Sequence, residues 1–199
     1  MIRRDFVEFF HVRDTKTLER TIRILAQNTG RILSERKLSS DLGVAINTVR
    51  NHTGFLEKAF VVFTAKALAG FAHAQARIPE KVFFLDPGLR NSLVGYQIHD
   101  QGRLLESAVY VSLWAFLKKH RPAVELLYWR QKDWEVDIIL RQEKTIIAIE
   151  VHKTDGDIQG LEKFLTEKPA ARAILVSDTP RGQLSDRIMV IPPQLFLLL

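Results

Sequence analysis

The sequence predicts an α/β chain, α+β overall, in which a helix-turn-helix half is followed by a mixed-sheet half. Two observations predict the halves themselves: glycine-punctuated helical spacing between Thr15 and Phe60, and three apolar strand runs between Leu126 and His152 followed by a helix and further strands. The third is charge. Residues 1–95 hold 15 Lys/Arg against 9 Asp/Glu, whereas residues 96–199 hold 14 of each. The whole basic excess lies in the first half, which favours a polyanion partner there, although an evenly solvated basic surface gives the same count.

Composition bounds the rest. A chain of 199 residues with 46% hydrophobic content can bury one large core or two small ones. No apolar run reaches the length of a membrane span, and Met1-Ile2-Arg3-Arg4-Asp5 leads into no signal-type segment, so a cytoplasmic protein without a membrane partner is expected. Cysteine is absent, which excludes disulfides and thiolate metal sites; any metal would be held by carboxylates, carbonyls or imidazole.

Taken in order, Leu18, Ile22 and Leu25 recur at helical spacing from Thr15 to Thr29, and Gly30 stands where that helix would stop. Ser34 to Val44 reads as a short second helix ended by Gly43, and Ala45 to Phe60 as a third with Val49, Leu56 and Phe60 on its apolar side. Two short helices crossing through a glycine turn and sharing one apolar seam make a helix-turn-helix. If the third helix enters a major groove, Asn47, Thr48, Arg50, Asn51 and His52 are the exposed positions that would face bases and phosphates. Helices of this kind also bind protein or pack between domains, and Thr53-Gly54 weakens the helix in its middle. Val61-Val62-Phe63 and Lys81 to Leu85 read as the two strands of a wing, joined by a long Ala-rich loop, with Lys66 and Arg77 as candidate phosphate contacts.

Asp86-Pro87-Gly88 marks a turn into a short helix ending at Leu93 or Val94. The polar stretch Gly95 to Gln101 reads as the boundary between a domain at 1–95 and a domain at 96–199. Gly102 to His120 is then a helix apolar on most sides, to be buried against a sheet. Inside it sits Glu106, a lone carboxylate that needs a salt bridge, with Arg103, Arg90 or Lys118, or a bound cation. Leu126 to Arg130, Glu135 to Leu140 and Thr145 to His152 give three strands with short polar turns. A helix around Leu161 to Leu165 follows, then strands Ala173 to Ser177 and Ile188 to Ile191. A helix between strands implies a parallel crossover.

One stretch concentrates the chemistry. A side-chain period of two puts Glu150 and His152 on one face of the third strand, and Asp137 opens the strand beside it, so both carboxylates can be held over one cleft about 5 Å apart. Charged strand ends that merely cap into solvent are the bland alternative.

This order of elements, with Glu106 on the first helix, Asp137 on the second strand and Glu150-x-His152 on the third, resembles the PD-(D/E)XK nuclease-like αβββαβ core. More closely, Phe84-Leu85-Asp86-Pro87-Gly88-Leu89-Arg90-Asn91, Gly102-Arg103-Leu104-Leu105-Glu106, Tyr128-Trp129-Arg130, Glu135-Val136-Asp137 and Ala148-Ile149-Glu150-Val151 resemble the C-terminal half of the archaeal-type AAA+ ATPase family, in which a winged helix precedes a nuclease-like domain. The likeness covers nearly the whole chain but not the ATPase module, so the chain reads as a fragment or as a protein that has lost it, and no ATP is expected.

The resemblance implies that Asp137 and Glu150, with the Val151 carbonyl and Glu106, would hold Mg2+ or Mn2+, and that the metal would activate water and stabilise charge on a scissile phosphate. In that fold a lysine completes the motif, and His152 stands in its place. Neutral imidazole supplies no fixed positive charge at pH 7, from an unperturbed pKa of about 6.5, but it could take a proton as general base. The expectation is therefore a duplex-DNA-binding protein with a degenerate, weakly metal-binding and poorly cleaving nuclease-like domain. The alternative is a non-catalytic module that meets a protein or an ATPase module, in which Glu106, Asp137, Glu150 and His152 are a structural polar cluster.

Overall fold

Asp14 starts the first described helix: its Oδ1 accepts from the Thr17 amide at 3.0 Å, and α1 (Thr15–Gln27) runs until Asn28 closes it. The computed structural model describes residues 14–69, 78–97, 100–152, 157–178 and 182–198, the Gln183 side chain excepted. The described residues divide into two compact units, one within Met1–Thr64 and Lys81–Tyr96, the other within Ala65–Glu80 and Gln97–Leu199. Among them no helix is long and apolar enough to cross a membrane. Among the described residues, seven helices and a large mixed sheet make the fold mixed α/β.

In the first unit, β1 (Arg31–Ile32) precedes α2 (Glu35–Leu42), which opens on Ser34 and ends at Gly43. Gly43 has φ 68°, a left-handed conformation that glycine takes without steric cost. The amides of Gly43 and Val44 return to Ser40 and Ser39 carbonyls at 3.2 and 3.1 Å, and the chain turns directly into α3 (Ile46–Lys58). Leu18, Ile22 and Leu25 of α1, Leu38 and Leu42 of α2 and Val49 and Leu56 of α3 form one buried cluster, joined by Val62, Val82 and Phe84. The apolar seam expected from the spacing is there. Gly54 lies inside α3 without breaking it.

The strands correct the expected pairing in part. β3 (Lys81–Phe84) pairs antiparallel with β1, Arg31 facing Val82, a two-residue strand too short to carry a periodic signal. β2 (Val62–Ala67) runs four residues past the expected end at Phe63, and its last residues pair in parallel with the strand Glu125–Gln131, Lys66 facing Leu127. That pairing places Ala65 onward in the second unit. Asp86 caps α4 (Pro87–Val94), accepting from Gly88 and Leu89 amides at 2.6 and 3.1 Å.

The second unit holds α5 (Gln101–His120), β4 (Glu125–Gln131), β5 (Trp134–Gln142), β6 (Thr145–Val151), α6 (Gln159–Glu167), β7 (Arg172–Val176), β8 (Gly182–Ser185), β9 (Ile188–Ile191) and α7 (Pro193–Phe196). From the end of β2 the strand order is β4, β5, β6, β7, β9, β8. The β4–β5 and β5–β6 pairs are antiparallel hairpins, and the β6–β7 and β7–β9 pairs are parallel, so α6 is a crossover. Leu161, Phe164 and Leu165 of α6 cover Leu127, Trp129, Val136, Ile139 and Ala148. Neither β8 nor α7 was expected from the sequence.

Gly160 explains how closely α6 sits on the sheet. A Cβ there would run into the backbone carbonyl oxygen of Glu135 far inside van der Waals contact. Only glycine lets the first turn of α6 lie on β5 at that point.

Candidate functional site

The site begins with an irregularity in β5. Leu127 faces Ile139 and Trp129 faces Val136, so Tyr128 on β4 stands opposite two residues, Asp137 and Ile138. This is a β-bulge, which bends a strand and re-aims a side chain. Val136 and Ile139 both join the core under α6, a spacing of three that strict alternation forbids. Tyr128 is fully buried; its hydroxyl donates to the Pro79 carbonyl at 2.5 Å, and its own carbonyl accepts from Leu68.

On its other side, β5 pairs with β6 from Gln142–Thr145 up to Ile138–Ile149 and stops. Beyond that end, the Val151 amide donates to Asp137 Oδ2 at 3.1 Å, and the Asp137 amide donates to Glu150 Oε2 at 3.4 Å. His152 follows β6, its amide bonded to the Val176 carbonyl at 2.9 Å, and its ring Nε2 lies 3.5 Å from Glu150 Oε1. That separation is within ion-pair reach, yet the geometry is not that of a hydrogen bond, and Nε2 is buried without a hydrogen-bond partner. Asp137, Glu150 and His152 are thus neighbours. Glu106 is buried at 8% exposure on α5, which packs against β6.

Burial, and then the neighbouring Asp137 carboxylate, push the Glu150 carboxyl up to about 7, against the pull of His152. The Glu150 carboxylate raises His152 in turn, against its own burial. The two side chains thus each perturb the titration of the other.

Asp137 and Glu150 carry oxygen donors of the kind a hard divalent cation takes. Mg2+ asks for several oxygen ligands in near-octahedral geometry. Here each carboxylate turns one oxygen onto a backbone amide. Among the described residues no group of three or more His, Asp or Glu side chains is placed to hold a metal ion.

On the outer face of α3, Asn47, Arg50 and Asn51 are exposed and Thr48 is half-buried. Arg50 is engaged by Glu35 of α2: Nε reaches Oε2 at 2.9 Å and Nη2 reaches it at 2.8 Å. His52 corrects the expectation of an outward donor. Its ring is 5% exposed, with Nδ1 3.1 Å from Thr21 Oγ1. Because the Thr21 hydroxyl spends its proton on the Thr17 carbonyl at 2.8 Å, His52 Nδ1 is the donor in that contact. The spacing carried the signal, since Val49, His52 and Leu56 fall on one helical stripe. Lys66 is exposed on β2, and Arg77 lies outside the described residues. Glu35, Tyr128 and Gly160 shape the candidate surfaces without having been singled out, because each acts through a partner distant in sequence.

The comparisons with known proteins give families without an assigned activity. Residues 101–196 match a domain of unknown function, DUF4143. An uncharacterized protein of Haemophilus influenzae is 27% identical over 158 residues, which are 73% of this chain and 38% of that protein. Uncharacterized proteins of Mycobacterium bovis and Mycobacterium tuberculosis are each 28% identical over 186 residues, 88% of this chain and 42% of theirs. The chain therefore spans about two fifths of the length of these relatives. A Vibrio cholerae protein of known crystal structure aligns over 90% of this chain and 49% of its own, at 16% identity and a TM-score of 0.32, a likeness too low to carry an argument. A further match runs over residues 1–100, half of the chain, which thus belongs to the family described as a domain of unknown function, DUF8612.

Proposed function

We propose that the chain is a cytoplasmic DNA-binding module in which a winged helix accompanies a nuclease-like domain whose catalysis is retired. The winged helix is α1, α2 and α3 with β1, β3 and the start of β2. The nuclease-like part is the run α5, β4, β5, β6, α6, β7, the αβββαβ order of a PD-(D/E)XK core. The observation that carries the reading is the juxtaposition of Asp137, Glu150 and His152 where the β5–β6 pairing ends, with imidazole in the place of the motif's lysine. The basic excess of residues 1–95 supports a duplex-DNA partner for the first unit. The resemblance to the AAA+ ATPase C-terminal half, and relatives more than twice as long as the chain, support an origin in a larger ATPase system.

Retirement has a physical basis. A nuclease of this type needs ionised carboxylates around a hard cation and a fixed positive charge by the scissile phosphate. Burial and the Asp137 carboxylate push the Glu150 carboxyl up to about 7, which disfavours the ionised form, and no lysine stands at position 152. A plasmid-nicking assay with Mn2+ on wild type and Asp137→Ala tests the reading. No metal-dependent nicking by either protein is expected at any pH. Nicking by wild type that disappears in Asp137→Ala would establish an enzyme instead.

One observation favours a second reading, a regulatory module that meets protein. With Arg50 paired to Glu35 and His52 buried against Thr21, two of the five polar positions assigned to DNA on α3 are already engaged by the protein itself.

A further inference from the structure

We propose that the face of β7 and β9 turned away from α6, continued by α7 and the residues after it, is a self-association surface on which a second copy of this chain docks. The inference goes beyond the DNA-binding reading and does not rest on it. Strand register carries one apolar row across the sheet: Ile138 faces Ile149, Ile149 faces Ile174, and Ile174 faces Met189. Residues paired in this way share a face. Ile188 and Val190 belong to the core under α6, so Met189 between them points to the other side. Burial falls away along the row. Ile138 and Ile149 are fully buried, Ile174 is half-buried and Met189 is 57% exposed. The helix α5 packs on β6, at the buried end of the row.

The open end of the row leads into α7, which also packs on α5. Pro193 and Phe196 are buried and Gln194 donates to Asp178 Oδ1 at 3.1 Å, which docks α7 and leaves Leu195, Leu197 and Leu198 exposed, Leu198 at 79%. Four of the seven large hydrophobic residues that are exposed among the described residues thus fall between Met189 and Leu198. One exposed apolar side chain is ordinary, but a grouped set marks a contact surface. Charge selects the occupant. No charged side chain occurs from Ile188 to Leu199, so this stretch offers nothing to a polyanion or a charged peptide. Residues 96–199 balance 14 Lys/Arg against 14 Asp/Glu, so two second units approach without net repulsion, whereas the basic excess lies in residues 1–95. An uncharged apolar surface is complementary to itself, and a two-fold axis brings Met189 onto the same patch of the other copy.

Sedimentation equilibrium of the full chain over about 1–100 μM tests this, on wild type, Met189→Lys, Leu198→Lys and Leu184→Lys. Wild type should be a dimer that dissociates on dilution. Met189→Lys and Leu198→Lys should each raise the dimer Kd by about tenfold or more, because an ammonium group would be pressed into an apolar contact. Leu184 is exposed as well, but it lines the groove between α6 and β8, so Leu184→Lys should keep the wild-type Kd. All three changes replace exposed side chains, and a circular dichroism spectrum like that of wild type confirms that each variant folds. A wild type that stays monomeric at the highest concentration would overturn the proposal, the face then belonging to a different protein. A dimer that Leu184→Lys disrupts and Met189→Lys leaves intact would overturn it too.

Discussion

Arg50 Nη2 lies 2.8 Å from Glu35 Oε2, so the arginine on the exposed face of α3 is held by the preceding helix. An ion pair between exposed side chains adds little stability, but it competes with a phosphate for the same guanidinium. Glu35→Ala should release Arg50 and tighten binding to duplex DNA. Arg50→Ala should weaken it and reduce the slope of log affinity against log salt by about one. Fluorescence anisotropy across a salt series reads both effects; equal affinity in wild type and Glu35→Ala would show that the pair does not gate the helix.

His52 makes the first unit sensitive to acid. Burial lowers its pKa, with Asp14 opposing, so the folded protein binds the proton less readily than the unfolded chain. Stability is then full above the unfolded value of about 6.5 and is lost as pH falls below it towards the folded pKa. Melting between pH 7.5 and pH 5 should show a fall in Tm that is smaller in His52→Gln, which keeps an amide donor for Thr21 but does not titrate. An identical pH dependence in the two proteins would contradict this account.

Phe60 ends α3 in a position made for glycine. With φ 56°, it donates to the Glu57 carbonyl at 3.0 Å while Val61 donates to Leu56 at 2.9 Å, the paired bonds of a Schellman turn. Gly43 closes α2 in the same way. The Phe60 ring is 67% exposed, so little packing offsets the left-handed backbone. Phe60→Gly should raise stability by about 1 kcal/mol in urea denaturation. A loss would mean that the ring is anchored.

Gly160→Ala should do the opposite. Its methyl group would press on the Glu135 carbonyl, two residues before Asp137, and force the start of α6 off β5. A cost of about 1–3 kcal/mol is expected from such overpacking. Denaturation with intrinsic fluorescence measures it, since Trp129 and Trp134 pack in the core beneath α6.

Local chemistry made most of this fold legible. Gly43 and Asp86-Pro87 fixed helix ends because left-handed φ and N-capping are properties of single residues. Glu150-x-His152 placed its two side chains together because β6 is regular up to Val151. What escaped was non-local. The bulge at Asp137-Ile138 depends on how Tyr128 is held from Pro79 and Leu68, and nothing in Glu135 to Leu140 signals it. The two-residue strand Arg31–Ile32 exists only through its pairing with β3. His52 was legible and misread: its place on the Val49–Leu56 stripe pointed inward, while its polar ring suggested a surface role.

The claim of a DNA-binding module stands or falls on binding of a fluorescent duplex to wild type, followed by anisotropy from about 20 to 300 mM salt. Contacts made mainly to phosphates predict saturable binding at low salt and log affinity that falls linearly with log salt, with a slope of several units. Absence of binding at the lowest salt, or binding that is unchanged across the series, would contradict it.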